Sequence, residues 1–323
     1  MSWMFFAVIC VLGWGFADLF YKKSSDGNDR LSHLKIAVWV GLVMGVCAFA
    51  LIPFAESGFD APSVVSNAVK YLPASLSYIV SMVIGYAGLR YLELSIISPV
   101  QNSSGALSMI AMVVFFAVTR GFDSISEEYG PLDYAGVFFV IAGVIALAVV
   151  EKKIADKDRE ANSQENRKYR IGALALLFPL LYCVFDTIGT AADGIILDEE
   201  AGLGLGEIDV IILYGLTFFI AGVVSWFVIL IKEKKPYNPI AFKEIKTKGA
   251  AALCEEFGQV FYVYAMSKNP ILAAPVVASY CIISLLLSRI FLKEKLTKLQ
   301  YACVFAVIIG IILLGVSEGL AEA

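Results

Sequence analysis

Ten stretches of mostly apolar residues follow one another along the chain, each about the 20 residues that a helix needs to cross a bilayer. They run approximately over Trp3–Tyr21, Leu34–Phe54, Leu72–Leu92, Ser95–Val118, Leu132–Val150, Tyr169–Gly189, Ile208–Ile231, Gly249–Ser267, Ile271–Leu292 and Leu299–Ser317. Hydrocarbon offers no water to an open N–H or C=O, so such segments fold as helices. Hydrophobic residues make up 59% of the chain and charged residues 17%, against about 25% charged in soluble domains. The expected class is all-α integral membrane, with ten transmembrane helices and the lipid bilayer as a partner.

The chain repeats itself. Residues 134–143 read YAGVFFVIAG and residues 301–310 read YACVFAVIIG. Aligning Pro99 with Pro275 also aligns Tyr86 with Tyr262, Ser103 with Ser279 and Phe115 with Phe291. Aligning Asp18 with Asp186 pairs Trp14 with Tyr182. The reading is a five-helix repeat over 1–150, a polar linker over 151–170 and a second five-helix repeat over 171–323. Five is odd, so the second repeat enters the membrane opposite to the first. That inverted-repeat architecture is common among secondary transporters.

Charge follows the same plan. Of the 25 Lys and Arg residues, all but Lys70, Arg120 and Lys268 fall in odd-numbered loops or the linker. Basic loops mark the cytoplasmic side. Equivalent loops swap sign: Lys22, Lys23, Arg30 and Lys35 follow the first segment, whereas Asp198, Glu199, Glu200 and Glu207 follow the sixth. The expectation is a multi-pass protein of the cytoplasmic (inner) membrane, with the linker inside and both termini outside.

Asp18 and Asp186 stand at matched positions toward the far ends of the first helices of the two halves. An acid inside a membrane helix costs roughly 2.5–3.5 kcal/mol at mid-depth and marks a site by default. Each reads as a proton or cation site, or as a counter-charge to a substrate; the bland alternative is a helix-end carboxylate, paired with Lys22 in the case of Asp18. Glu255 and Glu256 point about 100° apart on one helix, so at most one is expected to face a lumen. Glu255, Gln259 and Tyr262 would make a polar stripe; the alternative is a glutamate pair neutralised by Lys246 or Lys248. Trp14, Tyr182, Tyr86, Tyr262 and Tyr280 are candidate cavity walls, since acids plus aromatic faces suit an organic cation. Packing and interfacial anchoring are the ordinary uses of such rings. Pro99 and Pro275 are expected to bend their helices and free a carbonyl. The polar run Gln101, Asn102, Ser103, Ser104 follows Pro99, with Asn102 and Ser103 as binding candidates. Gly41 and Gly45 have the spacing of close helix packing.

Other chemistries find little support. The GLGLG loop over Gly202–Gly206 has no Walker lysine. No HExxH, GxSxG or Cys/His cluster appears, so no cofactor, metal or enzymatic activity is expected. The Lys and Arg residues form no nucleic-acid stripe.

These residues resemble the drug/metabolite transporter superfamily, EamA type. Trp14-Gly15 followed by Lys22 is similar to that family's first helix. Glu294, Leu296, Thr297, Gln300 and Gly310 are similar to its pattern at the last helix of a half; Lys293 and Cys303 stand where the family often has Gly. The resemblance spans essentially the whole chain. It implies a carrier whose central cavity is lined by helices one, three, four, six, eight and nine, for amino acids, amines or other small metabolites. It also implies both termini in the cytoplasm, opposite to the charge reading. The combined expectation is a monomeric or homodimeric secondary transporter of a small polar or cationic metabolite, working by alternating access with protons as a possible coupling ion. A passive pore, and a non-transporting scaffold or enzyme, are the alternatives.

Overall fold

The computed structural model describes residues 2–25, 29–56, 61–92, 94–161, 175, 177–198, 200, 202–203, 205–234, 237–293 and 296–321. Residues 162–174 of the linker and sixth segment, and Glu199, Gly204, Lys235, Glu294 and Lys295, lie outside these. Among the described residues there are helices and no strands. The long helices are α1 (Trp3–Ser24), α2 (Ser32–Leu51), α3 (Ala61–Gly88), the pair α4 (Leu94–Asn102) and α5 (Ser104–Arg120), a short α6 (Phe122–Glu128) and α7 (Pro131–Ala161). The second half holds α8 (Leu177–Ile196), α9 (Glu207–Glu233), α10 (Ala250–Lys268), the pair α11 (Pro270–Ala278) and α12 (Tyr280–Leu287), and α13 (Lys298–Ala321). Among the described residues, nine helical stretches are long and apolar enough to cross a membrane. The remaining segment, the eighth, is α10; it is 19 residues long and carries Glu255, Glu256 and Lys268, which lower its apolar character.

Three boundaries differ from the sequence reading; the fifth helix continues to Ala161 rather than ending at Val150, so the first part of the stretch read as a polar linker is helical. The third helix starts at Ala61 rather than Leu72, and the sixth ends at Ile196 rather than Gly189. Polar residues in these last two extensions read as loop. Instead Tyr71 and Asp193 are fully buried and bonded to each other at 2.9 Å, so each extension completes the other.

The fourth and ninth segments are each broken four residues after their proline, at Ser103 and Ser279. A proline ring removes one rung of the ladder. The Ser103 hydroxyl then donates to the Pro99 carbonyl at 3.1 Å, and Ser279 donates to the Val276 carbonyl at 2.6 Å. At Pro99 the serine thus bonds the proline's own carbonyl, whereas the carbonyl that the missing N–H frees lies four residues earlier.

The helices pack chiefly across the halves: α2 on α9, α7 on α13, α1 on α10, α3 on α8, and α5 on α11. Exchanging the halves turns this set of partners into itself. Gly41 and Gly45 of α2 pack against α9, where a Cβ at Gly41 would come within 2.4 Å of the Phe218 carbonyl oxygen. The two copies of the repeated decapeptide meet one another. A Cβ on Gly143 would lie 2.3 Å from Val307, and one on Gly310 would lie 2.7 Å from Val140. Val140 and Val307 are equivalent positions, both fully buried. The seam thus pairs i with j and j with i, as an isologous contact does.

One end of the bundle carries the basic loops. There Lys22 donates to the carbonyls of Leu89 and Leu92 at the end of α3, at 2.8 and 2.6 Å, and Lys35 pairs with Glu233 at 2.7 Å. The other end carries both termini, tied by the Trp3 indole N–H donating to the Glu318 carboxylate. It opens as a vestibule of about 880 Å³ with Glu56, Glu128, Glu207 and Glu318 on its walls. There Arg120, closing α5, pairs with Asp198 and Glu200 beyond α8.

Candidate functional site

Helix spacing assembles the site. Trp14, Asp18 and Tyr21 share one face of α1; Tyr182, Asp186 and Thr190 share one face of α8; Glu255, Gln259 and Tyr262 share one face of α10. These faces enclose a central cavity of about 60 Å³ together with Tyr78 and Tyr86 of α3, Asn102, Ser104 and Tyr280. Helices of segments one, three, four, six, eight and nine all contribute, and Tyr214 of α9 adds a seventh wall.

Ten of the eleven candidate residues line this cavity: Asp18, Asp186, Glu255, Gln259, Trp14, Tyr182, Tyr86, Tyr262, Tyr280 and Asn102. Ser103 does not, because its hydroxyl turns back to Pro99; Gln101 and Ser104 on either side of that break face inward instead. Tyr21, Tyr214 and Thr190 were missed. Each recurs at helical spacing from a residue that was noted, except Tyr214, which lies on a helix with no other candidate.

The acids are held by hydroxyls. Asp18 Oδ2 accepts from Ser98 at 2.6 Å and from Ser284 at 2.7 Å. Asp186 Oδ2 accepts from Ser104 at 2.6 Å. Lys22, the cation expected beside Asp18 in the bland reading, points to the α3 carbonyls. Lys248, the candidate neutraliser of Glu255, pairs with Glu244 at 2.7 Å. The glutamate pair divides as helix geometry requires: Glu255 faces the cavity, and Glu256 meets Cys47 of α2.

Aromatic rings close the walls. Trp14 packs against Tyr262 and Tyr280 with centroids 5.1 and 5.6 Å apart, and Tyr21 against Tyr86 at 4.7 Å. Tyr264 stacks on Phe6 at 5.4 Å and does not line the cavity. The amide nitrogens of Gln101 and Gln259 are buried, and neither has a hydrogen-bond partner. Among the described residues no Lys, Arg or His lines the cavity. The site can therefore offer three carboxylates and several ring faces to a cation, and two amide donors to an acceptor on the same molecule.

Residues 201–316 match the EamA-like transporter family. No curated protein matches the chain. A solved crystal structure of a protein aligns over 99% of this chain and 99% of the other, with a TM-score of 0.57 at 13% identity, which is a likeness of fold.

Proposed function

We propose that this chain, whose residues 201–316 match the EamA-like transporter family, is a secondary carrier of a small polar or cationic metabolite such as an amine or amino acid. One observation carries the reading: three carboxylates and a ring of aromatic side chains converge on a central cavity that no basic residue lines. A cation there gains Coulomb attraction and contact with ring faces where water is scarce. The Gln101 and Gln259 amides would donate to a carbonyl or carboxylate of the same solute.

Alternating access is supported over a pore by size. About 60 Å³ holds roughly two waters at ~30 Å³ each, so a metabolite enters only when the halves move apart. Hinges for that motion are the breaks at Ser103 and Ser279. Charge supports the cytoplasmic membrane, with the basic end inside and both termini outside.

A thermal-shift screen of amines, amino acids and nucleosides, followed by counterflow in liposomes, tests the reading. Acceleration of labelled uptake by the same solute on the trans side is expected. Unsaturable flux without acceleration would replace the carrier with a pore.

A further inference from the structure

Among the buried acids that do not line the cavity, Asp193 is the most deeply buried. Asp193 sits on α8, two turns beyond Asp186, and is 0% exposed. Its Oδ1 accepts from the Tyr71 hydroxyl at 2.9 Å, and its Oδ2 has no hydrogen-bond partner. An ionised carboxylate in such a place is costly without a counter-charge. The groups that face Asp193 are phenols: Tyr71 and Tyr78 from α3, Tyr262 from α10 and Tyr214 from α9. The acid nearest along its own helix is Asp186. The next residue, Gly194, packs on Met112, Met266 and Pro270, and of these Pro270 lines the vestibule.

The hydroxyls form a directed file to the cavity. Tyr78 donates to Thr190 Oγ1 at 3.1 Å, and Thr190 lines the cavity. The Tyr78 and Tyr262 hydroxyls are 2.6 Å apart. Tyr78 has one proton and gives it to Thr190, so Tyr262 is the donor in that pair. The Tyr262 oxygen stands beside the Asp193 carboxyl with a lone pair free to accept.

We propose that Asp193 is a proton-binding site that exchanges its proton with the central cavity through Tyr262, Tyr78 and Thr190. On release, the Asp193 Oδ2–H bond breaks as that proton joins Tyr262. The Tyr262 proton passes to Tyr78, the Tyr78 proton to Thr190, and the Thr190 proton to an acceptor in the cavity. One proton leaves, each hydroxyl stays neutral, and the carboxylate left behind accepts from both Tyr71 and Tyr262. The site is separate from the acids that line the cavity, so a proton and a cationic solute need not compete for one carboxylate. The assignment rests on the carrier reading only for what the proton drives.

Infrared spectroscopy of the full chain in liposomes, with and without ¹³C-labelled aspartate, tests the site. Expected is a protonated-carboxyl band that shifts on labelling, fades as the carboxyl is deprotonated at rising pH, disappears in Asp193→Asn and persists in Asp18→Asn and Asp186→Asn. Tyr78→Phe and Thr190→Val should keep the band while slowing its hydrogen–deuterium exchange about tenfold or more. Should Asp193→Asn fail to fold, Asp193→Glu substitutes for it, and its band should stop responding to labelled aspartate. An aspartate band that is absent from the wild type, or unchanged by replacing Asp193, overturns the site. Wild-type exchange in both hydroxyl variants overturns the relay. Loss of counterflow with an intact band would sink the carrier reading alone.

Discussion

The Trp14 indole fills the space that a side chain at position 258 would need: a Cβ on Gly258 would lie 2.3 Å from Trp14 Cδ1. The other half has a similar arrangement, with Tyr182 over Gly85, where a Cβ would lie 2.7 Å from the ring. Each half thus lends a glycine to seat the cavity ring of the other. Gly258→Ala should force Trp14 off Tyr262 and into the cavity. Overpacking of this kind costs about 1–3 kcal/mol. Expected are a shift in tryptophan fluorescence, a lower melting temperature and at least roughly tenfold weaker transport. A variant with wild-type uptake would show that the position of Trp14 is immaterial.

Asp186→Asn keeps the size of the side chain and the hydrogen bond from Ser104. It should insert and fold normally yet lose transport of a cationic solute, or lose its pH dependence. Loss of a buried charge partner costs about 2–5 kcal/mol of binding, so the affinity of the solute found by screening should fall at least about 30-fold. Normal transport across the pH range would make Asp186 structural.

Lys293 ends the ninth segment with φ 60°, in the left-handed region, and its side chain is exposed. This is the position where the sequence resemblance led to an expectation of glycine. A residue with a Cβ pays about 1–2 kcal/mol there, partly offset by the entropy glycine loses on folding. Lys293→Gly should therefore stabilise the protein by roughly 0.5–1 kcal/mol, seen as a higher melting temperature in detergent. A drop would mean that the lysine charge contributes more than the backbone strain costs.

Asp29 anchors the loop before α2. Burial raises its carboxyl, but the Lys35 ammonium and the Leu31 N–H, both at 2.9 Å, more than offset this and hold it below the usual value. Its contribution is present above the unfolded carboxyl value of about 3.9 and is lost as pH falls through the depressed folded value. The group is only partly buried and screened by solvent, so the contribution is at most about 1 kcal/mol. Asp29→Asn should lower the melting temperature slightly at neutral pH and have no effect near about pH 2. An equal deficit at both pH values would rule out ionisation as the cause.

The spans and cavity walls were legible because they rest on local periodicity. Trp14 and Asp18, or Glu255 and Gln259, are four residues apart, and that spacing alone puts them on one face. Asp193 was not legible. It follows an apolar run and precedes acidic residues, so it read as part of a loop; its burial depends on Tyr71, 122 positions away. The seven-residue interval from Asp186 was the available signal, since it returns to nearly the same face. Ser103 failed for another reason. A polar run after a proline announces an irregularity but not which residue turns inward, and the break rotates Gln101 and Ser104 into the cavity in its place.

The contact of Gly143 on Val307 and of Gly310 on Val140 has a bearing on ancestry. A surface that pairs with its own copy in the opposite orientation needs no partner of different design. A single five-helix ancestor inserted both ways up would have met itself along this same line, as a pair of separate chains. Joining such copies by a linker would fix one in each orientation and leave Asp193 on one side free to diverge from its counterpart on the other.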